Sequence, residues 1–198
     1  MLRTLPVCLL LLIFGFICSC ENGQKSQNSQ VNADSLQTQL IILNDSVNQA
    51  WQVLVTSDQT REQSLKDLLE QISGLKNFNK SLYNSLVNEQ AELPKLRYAS
   101  PAAITSTIID TYDAKSDEVK SGIYQLGNAT QGYAACAVCG ELMEKIDSAD
   151  NQTLFNRINY DRQAQAYNAF VKENKVDLAT IKSAYENLTP LPLFQIAL

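Results

Sequence analysis

From Leu36 onward the apolar residues recur three and four positions apart: Leu36, Leu40, Leu43, Val47, Trp51, Leu54, Leu65, Leu68, Ile72, Leu75, Leu82, Leu86 and Leu93. That period is the seam of a long amphipathic helix. It predicts a helix, or a once-interrupted helix, from about residue 34 to 92, with Asp45 or Ser46 near its beginning and Pro94 near its end. Gly74 and Asn77-Phe78-Asn79 mark the expected kink. The same ladder passes through Asp58, Arg61, Asn79 and Glu89, where the seam turns polar. Two readings stand: the helix outruns its partner at these rungs, or Arg61 pairs with Asp58 or Glu62 to shape a bundle end. The first is favoured, because exposed ion pairs contribute under about 1 kcal/mol.

Ser100-Pro101 has the form of an N-cap followed by proline at the first helical position, opening a helix that carries Ile104, Ile108, Tyr112, Val119, Ile123 and Leu126. Gly127 to Gly132 then breaks the chain with a turn. The last long pattern, Leu142, Ile146, Ala149, Thr153, Tyr160, Ala164, Tyr167 and Val171, is interrupted mainly by Asn156 and predicts one helix from about 134 to 173. Asp147 to Asn151 could equally cap a second helix at Asp150. A short helix is expected from Val176 to Asn187. Pro190 and Pro192 then leave Leu191, Leu193, Phe194 and Ile196 as an apolar strap on the bundle. The fold class that follows is all-α: an antiparallel three- to four-helix bundle with long helices, occupying residues 36–198.

The beginning of the chain has a different pattern. Arg3 supplies a basic start, and Val7 through Ile17 form an apolar run shorter than the roughly 20 residues a membrane-spanning helix needs. The run ends in Ile17-Cys18-Ser19-Cys20, which resembles a bacterial lipobox. Residues 1–19 therefore read as a lipoprotein signal peptide, with Cys20 as the lipidated residue that would carry diacyl and amide-linked chains such as palmitate. The alternatives are an ordinary cleaved signal with a chance cysteine, or an uncleaved short anchor. Residues 20–35 are rich in Asn, Gln and Ser and read as a flexible tether with a reach of about 20 Å. Glu21, rather than aspartate, follows Cys20, which in a Gram-negative cell favours the outer membrane.

The 198 residues carry a net charge of -5 and lack basic clusters, which argues against a nucleic-acid partner. Histidine is absent, and with it the Ser-His-Asp, Cys-His and HExxH arrangements. Cys136-Ala137-Val138-Cys139 is the suggestive motif of the mature chain. It lacks the flanks of a thioredoxin-like site and the further ligands zinc requires, so a candidate local disulfide or a pair of small buried residues is preferred over redox catalysis. Acidic pairs such as Asp117-Glu118 and Glu141 with Glu144 belong to ordinary solvated helix faces.

Two segments together resemble the LemA family of membrane-anchored helical proteins. The first runs from Val47-Asn48-Gln49-Ala50-Trp51 through Arg61 to Leu65-Lys66-Asp67-Leu68-Leu69-Glu70-Gln71-Ile72-Ser73-Gly74. The second is Leu142-Met143-Glu144-Lys145-Ile146, then Arg157, Tyr160-Asp161, Tyr167-Asn168 and Val171, similar to the family's terminal helix with its arginine and two Tyr-Asn pairs. A spacing of seven returns Tyr160 and Tyr167 to one helical face. The chain departs from the pattern in lacking a second arginine beside Arg61, a proline in the leucine-rich turn and the Phe-Pro after the last helix, and in carrying Asp161 where asparagine is usual. The resemblance implies an antiparallel bundle and supplies no enzymatic activity. The functional expectation is a non-enzymatic envelope scaffold, held on the membrane by its lipid and binding an envelope protein, with no cofactor, metal or small-molecule substrate. A thiol-disulfide redox protein using Cys136 and Cys139 is the alternative.

Overall fold

The computed structural model describes residues 21–195. The expected signal peptide, the Cys20 lipidation site and Ile196 of the strap lie outside the described residues. Among the described residues the chain forms five α-helices: α1 Glu21–Ser73, α2 Lys80–Leu96, α3 Ser106–Asn128, α4 Ala137–Glu173 and α5 Lys175–Ile181. The break between α1 and α2 falls at Gly74 to Asn79, where the sequence places it. Asn77 takes a left-handed conformation with φ 59°, which asparagine tolerates well, and Asn79 caps α2 by accepting from the Leu82 N–H at 3.1 Å.

Hydrogen bonds between helices fix the order α1, α2, α3, α4 around the bundle. Gln90 Nε2 of α2 donates to the Glu62 carbonyl of α1 at 3.0 Å, and Lys115 of α3 pairs with Glu89 of α2 at 2.7 Å. Arg157 of α4 pairs with Asp113 of α3 at 2.6 Å, and Arg61 of α1 pairs with Asp150 of α4 at 2.8 Å. With Thr153 of α4 donating to Asp58 at 3.3 Å, numbering falls along one helix as it rises along the next. This is the antiparallel four-helix bundle that the helical period predicts. Its core is the predicted ladder: Leu54, Leu65, Leu68, Ile72, Leu93, Val119, Ile123, Leu126, Ile146 and Ala164 have no exposed surface.

Several local expectations need correction. Asp45 and Ser46 do not open α1 but lie inside it, Ser46 bonding back to the Ile42 carbonyl at 2.9 Å. Pro94 sits in the last turn of α2 rather than beyond it. Ser100-Pro101 opens only a 3-10 turn, Pro101–Ala103; the long helix is capped by Thr105, whose hydroxyl accepts from Ile108 N at 3.2 Å. The Gly127 break moves to Ala129, since Gly127 and Asn128 finish α3. Asp147 to Asn151 cap nothing, and α4 is one helix of 37 residues.

α1 reaches back to Glu21, so the backbone is helical where a flexible tether is expected. An established helix adds residues at little cost because nucleation has already been met in the packed part, and Gln, Asn and Ser do not forbid the extension. At 53 residues α1 is about 80 Å long. Its register against α4 brings Glu173 level with about residue 38, so residues 21–37 run past the end of α4. α5 and the strap fill the neighbouring end of the bundle, where Leu178 is fully buried and Phe194 is 8% exposed.

Candidate functional site

The polar rungs of α1 do not mark a helix outrunning its partner. Asp58 is fully buried, and Arg61 and Glu62 are nearly so. Each meets side chains from other elements. Tyr98, in the connection after α2, donates its hydroxyl to Asp58 Oδ2, and Thr153 donates to Oδ1 at 3.3 Å. Glu62 accepts from the Tyr112 hydroxyl at 2.9 Å and from Arg97 at 3.1 Å. Arg61 bonds Asp150 at 2.8 Å and lies 3.8 Å from Asp58, while Arg157 grips both oxygens of Asp113 at 2.7 and 2.6 Å. An extended ring cluster encloses these charges: Trp51 meets Tyr98 and Tyr160 at 5.4 and 5.7 Å, and Tyr98 meets Tyr112 at 5.9 Å.

Burial raises the Asp58 carboxyl above its ordinary range, more than the Tyr98 hydrogen bond and the Arg61 and Arg157 charges lower it. Glu62 is raised for the same first reason, against the pull of Arg97 and Tyr112. Burial opposes the charge on Arg61, but Tyr112, Asp150 and Asp58 outweigh it and hold the guanidinium above its ordinary value. Arg61 Nε and Nη2 and Arg157 Nε find no hydrogen-bond acceptor among the described residues. Aromatic faces compensate in part: Arg61 lies 5.4 Å from the Tyr112 ring centre and Arg157 5.1 Å from that of Phe194. The carboxylates are engaged by hydroxyl and guanidinium donors, so the cluster acts as a lock on helix register.

The tyrosine face of α4 holds the strap. Asp161 accepts from the backbone N–H of Phe194 at 2.8 Å and of Gln195 at 3.1 Å. Asn168 both donates to and accepts from the backbone of Leu191, at 2.8 and 2.7 Å, and the Tyr160 hydroxyl donates to the Pro192 carbonyl at 3.2 Å. Burial, with the Asp161 charge second, pushes the Tyr160 hydroxyl up to about 12. Phe194 then stands edge-on to Tyr98 and Tyr160 at 5.2 and 5.6 Å. Tyr160 and Tyr167 share one buried face, as their spacing predicts.

On its outer side the α1/α4 pair carries two adjoining hollows that share Val53, of about 510 Å³ and 360 Å³. α1 contributes Ser46, Gln49, Ala50, Thr56, Ser57 and Thr60; α4 contributes Ser148, Ala149, Gln152, Asn156, Asn159 and Gln163. Lys145 is the one charged residue of this lining. Asn156 is 5% exposed, accepts from Gln152 at 3.1 Å, and has no acceptor for its own Nδ2 among the described residues. Exposed Phe155 and Leu154 lie beside it in α4.

Cys136 and Cys139 are joined as a disulfide, Cα atoms 5.2 Å apart, at the start of α4. This end of the bundle is farthest from Glu21. Antiparallel pairing of Lys76 with Gln131 ties the two loops there, with Asn77 donating to Gln131 Oε1 at 2.8 Å. Gly132 turns the chain with φ 89°, and Gly127 lets the Tyr133 ring lie so close that a Cβ would come 2.5 Å from it.

The strap and its tyrosines follow from sequence; the locked polar cluster does not. One signal for it was present. Polar residues interrupt both the α1 ladder, at Asp58 and Arg61, and the α4 ladder, at Thr153 and Asn156, and antiparallel packing brings those interruptions level. Among the described residues no helix is long and apolar enough to cross a membrane, and no three His, Cys, Asp or Glu side chains are grouped to hold a metal ion. No family model, curated protein or solved structure matches the chain.

Proposed function

We propose that this chain is a LemA-like, lipid-anchored, non-enzymatic scaffold of the bacterial cell envelope, whose α1/α4 face binds a helix of another envelope protein. The anchor rests on Ile17-Cys18-Ser19-Cys20 behind its apolar run, with Cys20 as the acylated residue. Glu21 directs the reading toward the outer membrane.

One observation carries the docking half: the buried Asn156 amide, with an unanswered N–H, lines a groove that excludes charge except at Lys145. Charged residues make up 19% of the chain, so a lining whose one charge is Lys145 is poorer in charge than the chain as a whole. A helix fits the groove better than a compact ligand. Its α1 lining from Ser46 to Thr60 extends about 20 Å along the helix axis. Ser46, Ala50, Ser57, Ser148 and Ala149 are small enough for a backbone to approach closely, and Asn156 would donate to a hydroxyl or carbonyl of the incoming helix.

The anchor is tested by growing cells with an alkyne analogue of palmitate and fractionating them. Label on the protein, membrane retention, and loss of both in Cys20→Ala are expected; retention of the unlabelled variant on the membrane overturns the anchor. Val53→Arg, which places a charge in the groove, is expected to reduce partner binding at least tenfold while leaving the helical circular dichroism unchanged.

A further inference from the structure

We propose that the Cys136–Cys139 disulfide is an exchange-competent redox site, attacked at Cys136 by a protein dithiol that docks on the exposed apolar tip around it. The two sulfurs have unequal surroundings. Cys139 is 1% exposed, whereas Cys136 is only half-buried, so an incoming thiolate reaches one sulfur and not the other. Exposed neighbours with small side chains surround the accessible one: Ala134, Ala135, Ala137 and Gly140, together with Val138 at 49% exposure. From Gly132 to Gly140 the chain carries no charged residue. Steric access and an uncharged apolar rim are what a partner's dithiol loop needs in order to seat.

The local hydrogen bonding suits the reaction as well. Cys136 is the N-cap of α4, and its sulfur accepts from the Cys139 N–H at 3.2 Å. A thiolate formed at Cys136 gains that donor and the positive end of a 37-residue helix, both of which favour the charged form. Position in the molecule adds a third observation. The disulfide lies at the end of the bundle opposite the start of α1, a helix about 80 Å long, and so, on the anchor proposed above at Cys20, it would project away from the membrane.

The exchange balances as follows. A thiolate of the partner dithiol forms a bond to Cys136 Sγ; the Cys136–Cys139 bond breaks, and Cys139 leaves as a thiolate and takes a proton. The partner's second thiolate attacks its own sulfur in the mixed disulfide and releases Cys136. Two electrons pass to this chain, and the partner dithiol becomes a disulfide; the reverse sequence returns them.

The test uses the full mature chain, with glutathione as the probe and peptide mass as the readout. Cys139→Ala, incubated with oxidised glutathione, is expected to gain one glutathione at Cys136 at least tenfold faster than Cys136→Ala gains one at Cys139. The wild-type pair is expected to pass from oxidised to reduced across a series of glutathione redox buffers while the helical circular dichroism stays constant. Equal rates in the two variants, or a wild-type disulfide reduced only after the bundle is unfolded in denaturant, overturns the proposal.

Discussion

Replacing Phe194 with alanine removes the side chain that joins the strap to the polar core. Phe194 is 8% exposed, contacts Tyr98 and Tyr160 edge-on, and covers the Arg157 guanidinium. Phe→Ala at a packed site costs about 3–5 kcal/mol, of which the aromatic pairs supply about 0.5–1.5 each. The strap carries no helix or strand of its own and can lift away instead of leaving a cavity, so the lower limit, about 3 kcal/mol, is the expectation. With a urea slope of about 2 kcal/mol per molar, the midpoint falls by about 1.5 M. Hydrogen exchange gives a second, local readout, because the amides of Leu191, Phe194 and Gln195 are held by Asn168 and Asp161. Their exchange should accelerate together in Phe194→Ala, while Phe194→Leu, which keeps most of the buried area, loses less than half as much stability. A variant within about 0.5 kcal/mol of wild type, with unchanged exchange at those amides, would refute the packing assigned to the strap.

Three other outcomes follow from the same geometry. Asp58 and Glu62 have raised carboxyl values in the folded state, so the native protein binds protons more tightly than the unfolded chain, and their contribution to stability is lost as pH rises through those raised values. Thermal melts should give a higher midpoint just above the ordinary carboxylate range than at neutral pH, with a flatter profile in Asp58→Asn; superimposable profiles would contradict this. Asp161→Asn replaces one of two accepting oxygens with a donor, so urea titration should show a loss of about 1 kcal/mol, with faster exchange at Phe194 or Gln195. Gly127→Ala drives a methyl into the Tyr133 ring and should cost about 1–3 kcal/mol by the same titration, whereas Gly140→Ala, with open space around it, should cost far less.

Sequence periodicity located α1, α2 and α4, the break at Gly74 to Asn79 and the shared face of Tyr160 and Tyr167, because packing an apolar stripe leaves little choice of geometry. The strap was legible through Pro190 and Pro192. The start of α3 was not: Ser100-Pro101 carries the local signature of a cap, but tertiary contacts bury Tyr98 and Ile104 and defer the helix to Thr105. The polar cluster was least accessible of all. Asp58 looks like a surface rung until Tyr98 and Thr153, 40 and 95 residues away, arrive beside it. A pairing preference of three or four residues foresees the Arg61–Asp58 contact within α1, at 3.8 Å, but not the shorter bond from Arg61 to Asp150, whose place is set by the register of whole helices.

The central claim, an anchored scaffold that receives a partner helix on the α1/α4 face, is tested most directly by residue-specific photo-crosslinking in intact cells. A photoreactive amino acid would replace Gln152 in the groove and, as a control, Glu118, whose side chain is 65% exposed on α3. The account predicts one envelope protein joined at position 152, through a helical peptide identified by mass spectrometry, and lost when Cys20→Ala or Val53→Arg is added. The same products from positions 152 and 118, or a product at 152 that survives both substitutions, would contradict it.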